Sequence, residues 1–173
     1  MNISFTKRDP LNSAVVDDAT GQVIFEVSTT PWWKLANSTT TIRDPGGQVL
    51  AEYERRLFGH GKVTVRATTS RMKDWLPKKK WWSSHRMLTT PDGRVYIWKC
   101  KTNGTFKLIP IDSESETPVV ETRKRTLGLF KPRRKGGMSV HSELTPFLID
   151  ILLSFIVCER ERRAEEAARN SSS

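Results

Sequence analysis

The chain has 173 residues, of which 36% are hydrophobic and 28% charged, and its formal net charge is +10. This length can bury a core without disulfide help, and the composition is that of a soluble globular chain with one domain. The basic excess favours anionic partners, whether nucleic acid, acidic proteins or an anionic membrane surface, without choosing among them.

In chain order, the N-terminal MNISFTKRDP has no apolar core of the kind a secretory signal needs. Three hairpins with one grammar follow. Ala14–Asp17 runs through Asp18-Ala19-Thr20-Gly21 into Gln22–Val27. Thr39–Arg43 runs through Asp44-Pro45-Gly46-Gly47 into Gln48–Tyr53, and Arg86–Thr89 through Thr90-Pro91-Asp92-Gly93 into Arg94–Lys99. Each is a β-rich run, a turn ending in glycine, then a second β-rich run. Glycine supplies the positive φ such turns need, and Asp or Pro sets the residues before it. Further strands are expected at Val63–Ala67, Thr105–Ile111, Val119–Arg123 and Met138–His141. DSESETP (Asp112–Pro118) and RRKGG (Arg133–Gly137) serve as polar or flexible connections.

After Ser142 the pattern turns helical. Thr145-Pro146 is a good start, because Thr can cap and Pro is tolerated in the first turn. The apolar run Phe147–Cys158, interrupted only by Asp150 and Ser154, spans about 18 Å as a helix against a hydrocarbon core of about 30 Å. It is too short to cross a bilayer, and it carries a carboxylate. Its large apolar residues occupy every side of the helical wheel, so the helix must be buried all round. Asp150 and Ser154 share a face and need donors from the surrounding strands. The alternating charges of Glu159–Arg169 suit a solvated helix end with i,i+4 pairs.

Strands that must enclose a wholly apolar helix are expected to close around it, which also removes sheet edges. The expected class is therefore mainly β (α+β): a closed antiparallel β-barrel enclosing a hydrophobic C-terminal helix. The barrel is one domain over residues 1–163, its helix runs from about 145 to 163, and 164–173 form a charged helix end and disordered tail.

DPLNSAVVDDATGQVIFEV (Asp9–Val27), TTTIRDPGGQVLAEYE (Thr39–Glu54), TTPDGRVYIWKCK (Thr89–Lys101) and LIDILLSFIVCERERR (Leu148–Arg163) together resemble a fungal, mainly basidiomycete, uncharacterised family with a tubby C-terminal-like domain. The resemblance runs in order over nearly the whole chain. It implies the tubby-like fold, a β-barrel threaded by its C-terminal helix, shared with LURP-one-related proteins of plants and with phospholipid scramblases. It implies no catalytic residue.

Sequence motifs for chemistry are sparse. His60, His85 and His141 lack metal-ligand spacing, and Cys100 and Cys158 lie far apart, which reads more simply as a cytosolic chain with two thiols than as a single disulfide. There is no phosphate-binding glycine loop with Lys-Ser/Thr and no G-x-S-x-G elbow. The expectation is a non-enzymatic module with no cofactor.

Basic clusters carry the functional signal. Lys78, Lys79 and Lys80 precede Trp81-Trp82, while Arg123, Lys124, Arg125, Lys131, Arg133, Arg134 and Lys135 fall in thirteen residues with no acid between them. These ten form the candidate anion- or lipid-binding set, for a cytoplasmic protein held peripherally on anionic phospholipid or phosphoinositide. Nucleic-acid binding or a protein-interaction role is the alternative, but no recognition helix, RNA-binding aromatic signature or zinc module supports the former. The bland reading of both clusters is a solvated surface.

Overall fold

In the computed structural model, residues 1–30, 37–56, 61–80, 83–113, 116–126 and 135–171 are described. Trp32, Trp33, His60, Trp81, Trp82, Lys131, Arg133 and Arg134 lie outside them. The strands are β1 (Asn2–Phe5), β2 (Ser13–Asp17), β3 (Val23–Thr29), β4 (Asn37–Arg43), β5 (Val49–Arg56) and β6 (Lys62–Val65). After them come β7 (Thr68–Arg71), the short helix α1 (Met72–Trp75), β8 (Arg86–Thr89), β9 (Val95–Cys100), β10 (Phe106–Pro110), β11 (Val120–Arg123) and β12 (Gly137–Val140). A 3-10 turn at Ser142–Phe147 leads into α2 (Leu148–Asn170). The three glycine-ended hairpins are present, with φ of 71°, 87° and 84° at Gly21, Gly47 and Gly93.

All strands belong to one antiparallel sheet in the order β7-β6-β5-β4-β3-β2-β1-β12-β11-β10-β9-β8. The N-terminal strand is its keystone. β1 pairs with β2 on one side and β12 on the other, and the Met1 ammonium donates to the Val140 carbonyl at 2.7 Å. Sequence patterning missed this strand, whose four residues come before any turn signal. It also treated Gly137 as part of a flexible loop, whereas Gly137 opens β12. A Cβ there would sit 2.0 Å from the Ile3 carbonyl oxygen, so only glycine lets β1 and β12 approach.

The expected barrel does not close by strand pairing: β7 and β8 are the two edges of the ladder. The sheet nevertheless wraps α2. Leu148, Ile151, Leu152, Leu153, Phe155, Ile156 and Val157 are buried, and Phe147 and Ile149 partly so. Phe155 is packed by Phe5 of β1 (ring centroids 5.9 Å apart) and Phe106 of β10 (5.7 Å). The polar side chains find their donors. Trp98 Nε1 donates to Ser154 Oγ at 2.9 Å, and Arg66 grips the buried Asp150 carboxylate with two bonds of 3.0 and 2.5 Å. No helix among the described residues is long and apolar enough to cross a membrane.

Two arginine–carboxylate pairs do what the missing strand pairing would have done. Arg66 sits in the turn before β7 and holds Asp150, while Arg86 on β8 is bidentate with Glu161 and also donates to the Leu76 carbonyl at 3.0 Å. Asp150 and Glu161 are eleven residues apart, about three helical turns, so they lie on one side of α2. Both edges of the open seam are thereby tied to the same helix face.

The Arg66 turn itself is unusual. Arg66 and Ala67 have φ of 49° and 61°, the two-residue hairpin geometry that favours Asn and Gly. Without those residues the stretch Val63–Ala67 looks like one uninterrupted strand, which is why β7 went unforeseen. Each non-glycine residue held there costs about 1 kcal/mol or more, offset here by the ion pair that Arg66 makes with Asp150. Replacing Arg66 by Ala should lower unfolding stability by about 3 kcal/mol, because it strands a buried carboxylate. Ala67→Gly should raise it by about 0.5–1 kcal/mol. Urea unfolding of both variants measures the pair of effects, and a neutral Arg66→Ala would show that the pair does not hold the seam.

Candidate functional site

The charged run at the far end of α2 is solvated from Glu165 onward and carries the expected i,i+4 pairs, Glu159–Arg163 and Arg162–Glu166, but its first turn is not solvated. Glu159 is buried at 7% exposure, and each of the five residues Glu159–Arg163 is engaged. Arg160 donates to Thr40 Oγ1 and Ser38 Oγ, both at 2.9 Å, and lies 5.3 Å from the Tyr53 ring centroid. Arg163 bonds Asp9 at 2.8 Å and Glu159 at 2.7 Å, and Arg162 holds Glu159 through Nε and Nη2 at 2.8 and 2.9 Å. With Glu161 on Arg86, this forms a polar collar where the helix leaves the sheet. Alternating charge in sequence cannot show it, because its partners lie up to 154 residues away.

Beside the collar opens a cleft of about 560 Å³. Its apolar floor is Phe5, Pro10 and Phe155. Its walls come from the β1–β2 connection (Lys7, Arg8, Asp9), the β9–β10 turn (Gly104), the end of β11 (Thr122, Arg123, Lys124, Arg125), Gly136 and Gly137, and α2 (Glu159, Arg162, Arg163, Glu166). Seven cationic and three acidic side chains line it, a surplus of four positive charges. Burial pushes the Asp9 carboxyl up, but hydrogen bonds from Asn12, the Leu11 N–H and Arg163 outweigh it and hold Asp9 below the usual carboxylate range. Hydrogen bonding to Glu159 raises Arg162 above its ordinary value.

The cations divide into two groups. Arg162 and Arg163 are neutralised within the collar. Arg123 reaches over Gly137 to the Ile3 carbonyl and Ser4 Oγ, both at 3.0 Å, and to Asp18 at 2.5 Å. Arg123 therefore locks β11 to β1 as well as lining the cleft. Lys7, Arg8, Lys124 and Arg125 have no ion pair among the described residues and remain available to a ligand.

Of the candidate set, the structure brings Arg123, Lys124 and Arg125 into the cleft. Lys135 lies outside it, over a shallow hollow on the outer face with Asn2, Asp18 and Ser139. Lys78, Lys79 and Lys80 are exposed along the outer edge of β8, where Lys78 bridges Arg86 and the Lys79 N–H donates to the His85 carbonyl. That cluster lines no part of the cleft. Burial, with Lys99 and Lys79 nearby, holds His85 below its ordinary value. Lys131, Arg133 and Arg134 fall outside the described residues. Sequence reading overlooked Lys7, Arg8, Arg162 and Arg163, two isolated pairs that form no run with the others.

A family model matches residues 8–164. The chain belongs to DUF6593, a family of unknown function. The match takes in the whole collar and most of the cleft, from Arg8 to Arg163, and ends before Glu166. Neither the curated proteins nor the solved structures gave a match.

Neither cysteine is placed for nucleophilic work. Both are free thiols, and burial pushes each above its ordinary value, Cys158 strongly and Cys100 less so. In the native protein at mild alkaline pH, Cys100 should react with a thiol reagent more slowly than a free cysteine and Cys158 not at all. Both should react at once in denaturant. Fast labelling of Cys158 in the folded state would mean that the helix core opens.

Proposed function

We propose that this DUF6593 chain is a non-enzymatic module that binds anionic phospholipid headgroups, peripherally to a membrane, through the cleft at the mouth of the sheet. The supporting observation is the charge surplus there: four cations without an ion pair among the described residues, from two separate connections, face one concave site with an apolar floor. Each basic residue near an anionic bilayer contributes about 1 kcal/mol, so four exceed what thermal motion disrupts. The tubby-like resemblance belongs to the same proposal, since a sheet wrapped around a buried C-terminal helix is the layout it implies. An extended nucleic acid fits less well, because the cations gather around a hollow rather than along a track.

Co-sedimentation with vesicles of phosphatidylcholine, alone or with an anionic lipid, tests the reading. Binding should require the anionic lipid and weaken with salt. Replacing Lys124 and Arg125 by Ser should weaken it about thirtyfold, at about 1 kcal/mol each. Replacing Lys78, Lys79 and Lys80 by Ser should cost less than the cleft pair despite removing more charge. Indifference to anionic lipid, or a larger loss from the lysine triple, would sink the assignment.

A further inference from the structure

Within the cleft, two cations from different elements converge at Gly104. The position its side-chain carbon would occupy is 3.0 Å from Lys124 Nζ and 3.4 Å from Arg162 Nη1. The two nitrogens can therefore be no farther apart than the sum of those distances. They meet there because residue 104 has no side chain, and its φ of 73° suits glycine. A tetrahedral phosphate accepts from charged N–H donors at about 2.8 Å on several of its oxygens, so a single phosphate beside Gly104 can take bonds from both.

One of the two donors is already occupied. Arg162 Nη1 bonds Glu166, one turn along α2, while its Nε and Nη2 are held by Glu159. The two carboxylates differ in how firmly they are placed. Glu159 is buried and shared with Arg163. Glu166 has a side chain 52% exposed, makes one ion pair among the described residues and stands on the exposed part of the helix. Lys124, the other donor, has no carboxylate partner among the described residues.

We infer that the Lys124–Arg162 pair is a phosphomonoester subsite and that Glu166 is its built-in competitor, an internal carboxylate that a ligand phosphate displaces from Arg162. This rests on the anion-binding reading of the cleft. The charge favours a monoester. It carries about −1.5 to −2 with three strong acceptor oxygens, whereas the single charge of a phosphodiester only matches that of the carboxylate it must replace. The monoester gains at Lys124 what it takes over at Arg162. Glu166 also lies past the stretch matched by the family model, so the competitor sits at the margin of the family-wide domain while the subsite's cations lie within it.

The test compares Glu166→Gln with Glu165→Gln in the full chain. Both lose one negative charge on the exposed helix end, but Glu165 makes no ion pair among the described residues. On phosphatidylcholine vesicles containing phosphatidic acid, a phosphomonoester lipid, Glu166→Gln should bind about threefold more tightly than Glu165→Gln. On vesicles of equal surface charge made with phosphatidylglycerol, a phosphodiester, the two variants should match. Lys124→Ala should lose more affinity for phosphatidic acid than for phosphatidylglycerol. Glycerol 3-phosphate identifies the source: release of bound protein assigns the subsite to a soluble phosphomonoester, and retention assigns it to the lipid. Equal binding of the two Gln variants to phosphatidic acid, or an equal gain for Glu166→Gln on both vesicles, overturns the inference while leaving the cleft reading intact. Wild-type protein that binds neither the vesicles nor glycerol 3-phosphate overturns both.

Discussion

Everything in this molecule answers to one requirement: a helix with no polar side must be enclosed by a sheet that does not close. The apolar residues of α2 between Leu148 and Val157 face strands from both halves of the chain, and water must be kept from all of them. A ladder bond between β7 and β8 would have sealed the wall. Instead Asp150 and Glu161, three turns apart on one side of the helix, take arginines from the two edges. A buried charge costs several kcal/mol unless it is paired, and each pair holds one, Asp150 in the first and Arg86 in the second, so each is as much an obligation as a stabiliser. The helix that needs cover thus supplies the anchor points that keep its cover in place.

The same helix sets the position of the cleft. Where α2 emerges, Glu159–Arg163 bond to β4, β8 and the β1–β2 connection, and the collar so formed is one wall of the cavity. Arg162 and Arg163 are taken up by Glu159, Glu166 and Asp9, and Arg160 by hydroxyls of β4 and the Tyr53 ring. Among the described residues, the lining cations without an ion pair are those of the facing loops, Lys7, Arg8, Lys124 and Arg125. Structural and available charge are thereby separated within a few ångströms. Arg123 stands on the border, bonded across β12 to β1 while lining the cavity.

Sequence patterning found the three glycine-ended hairpins, the strands between and after them, and the buried helix, since each rests on a local signal. It placed the helix start at Thr145-Pro146, which is a 3-10 turn that delivers the chain to Leu148. It missed β1, a strand defined by its partners more than its composition, and β7, which follows a turn with no turn residues. At the site it identified Arg123, Lys124 and Arg125 as basic but grouped them with Lys78, Lys79 and Lys80, which lie along a different edge. Lys7, Arg8, Arg162 and Arg163 could not be joined to them, because a cleft is assembled from residues far apart in the chain.

The sequence by itself determined that this is a hairpin-rich sheet built around a C-terminal helix, and that the helix core is not a membrane span. Turn glycines fix local φ, and apolar residues on every side of a helix admit only full burial. Those are statements about neighbours in the chain. The tertiary structure alone decided that the wall stays open between β7 and β8, that Asp150 is paired with Arg66, and that Lys7 and Arg8 line one cleft with Lys124 and Arg125. Each depends on which distant groups meet, and charge pairing is set by distances of a few ångströms that linear order does not carry.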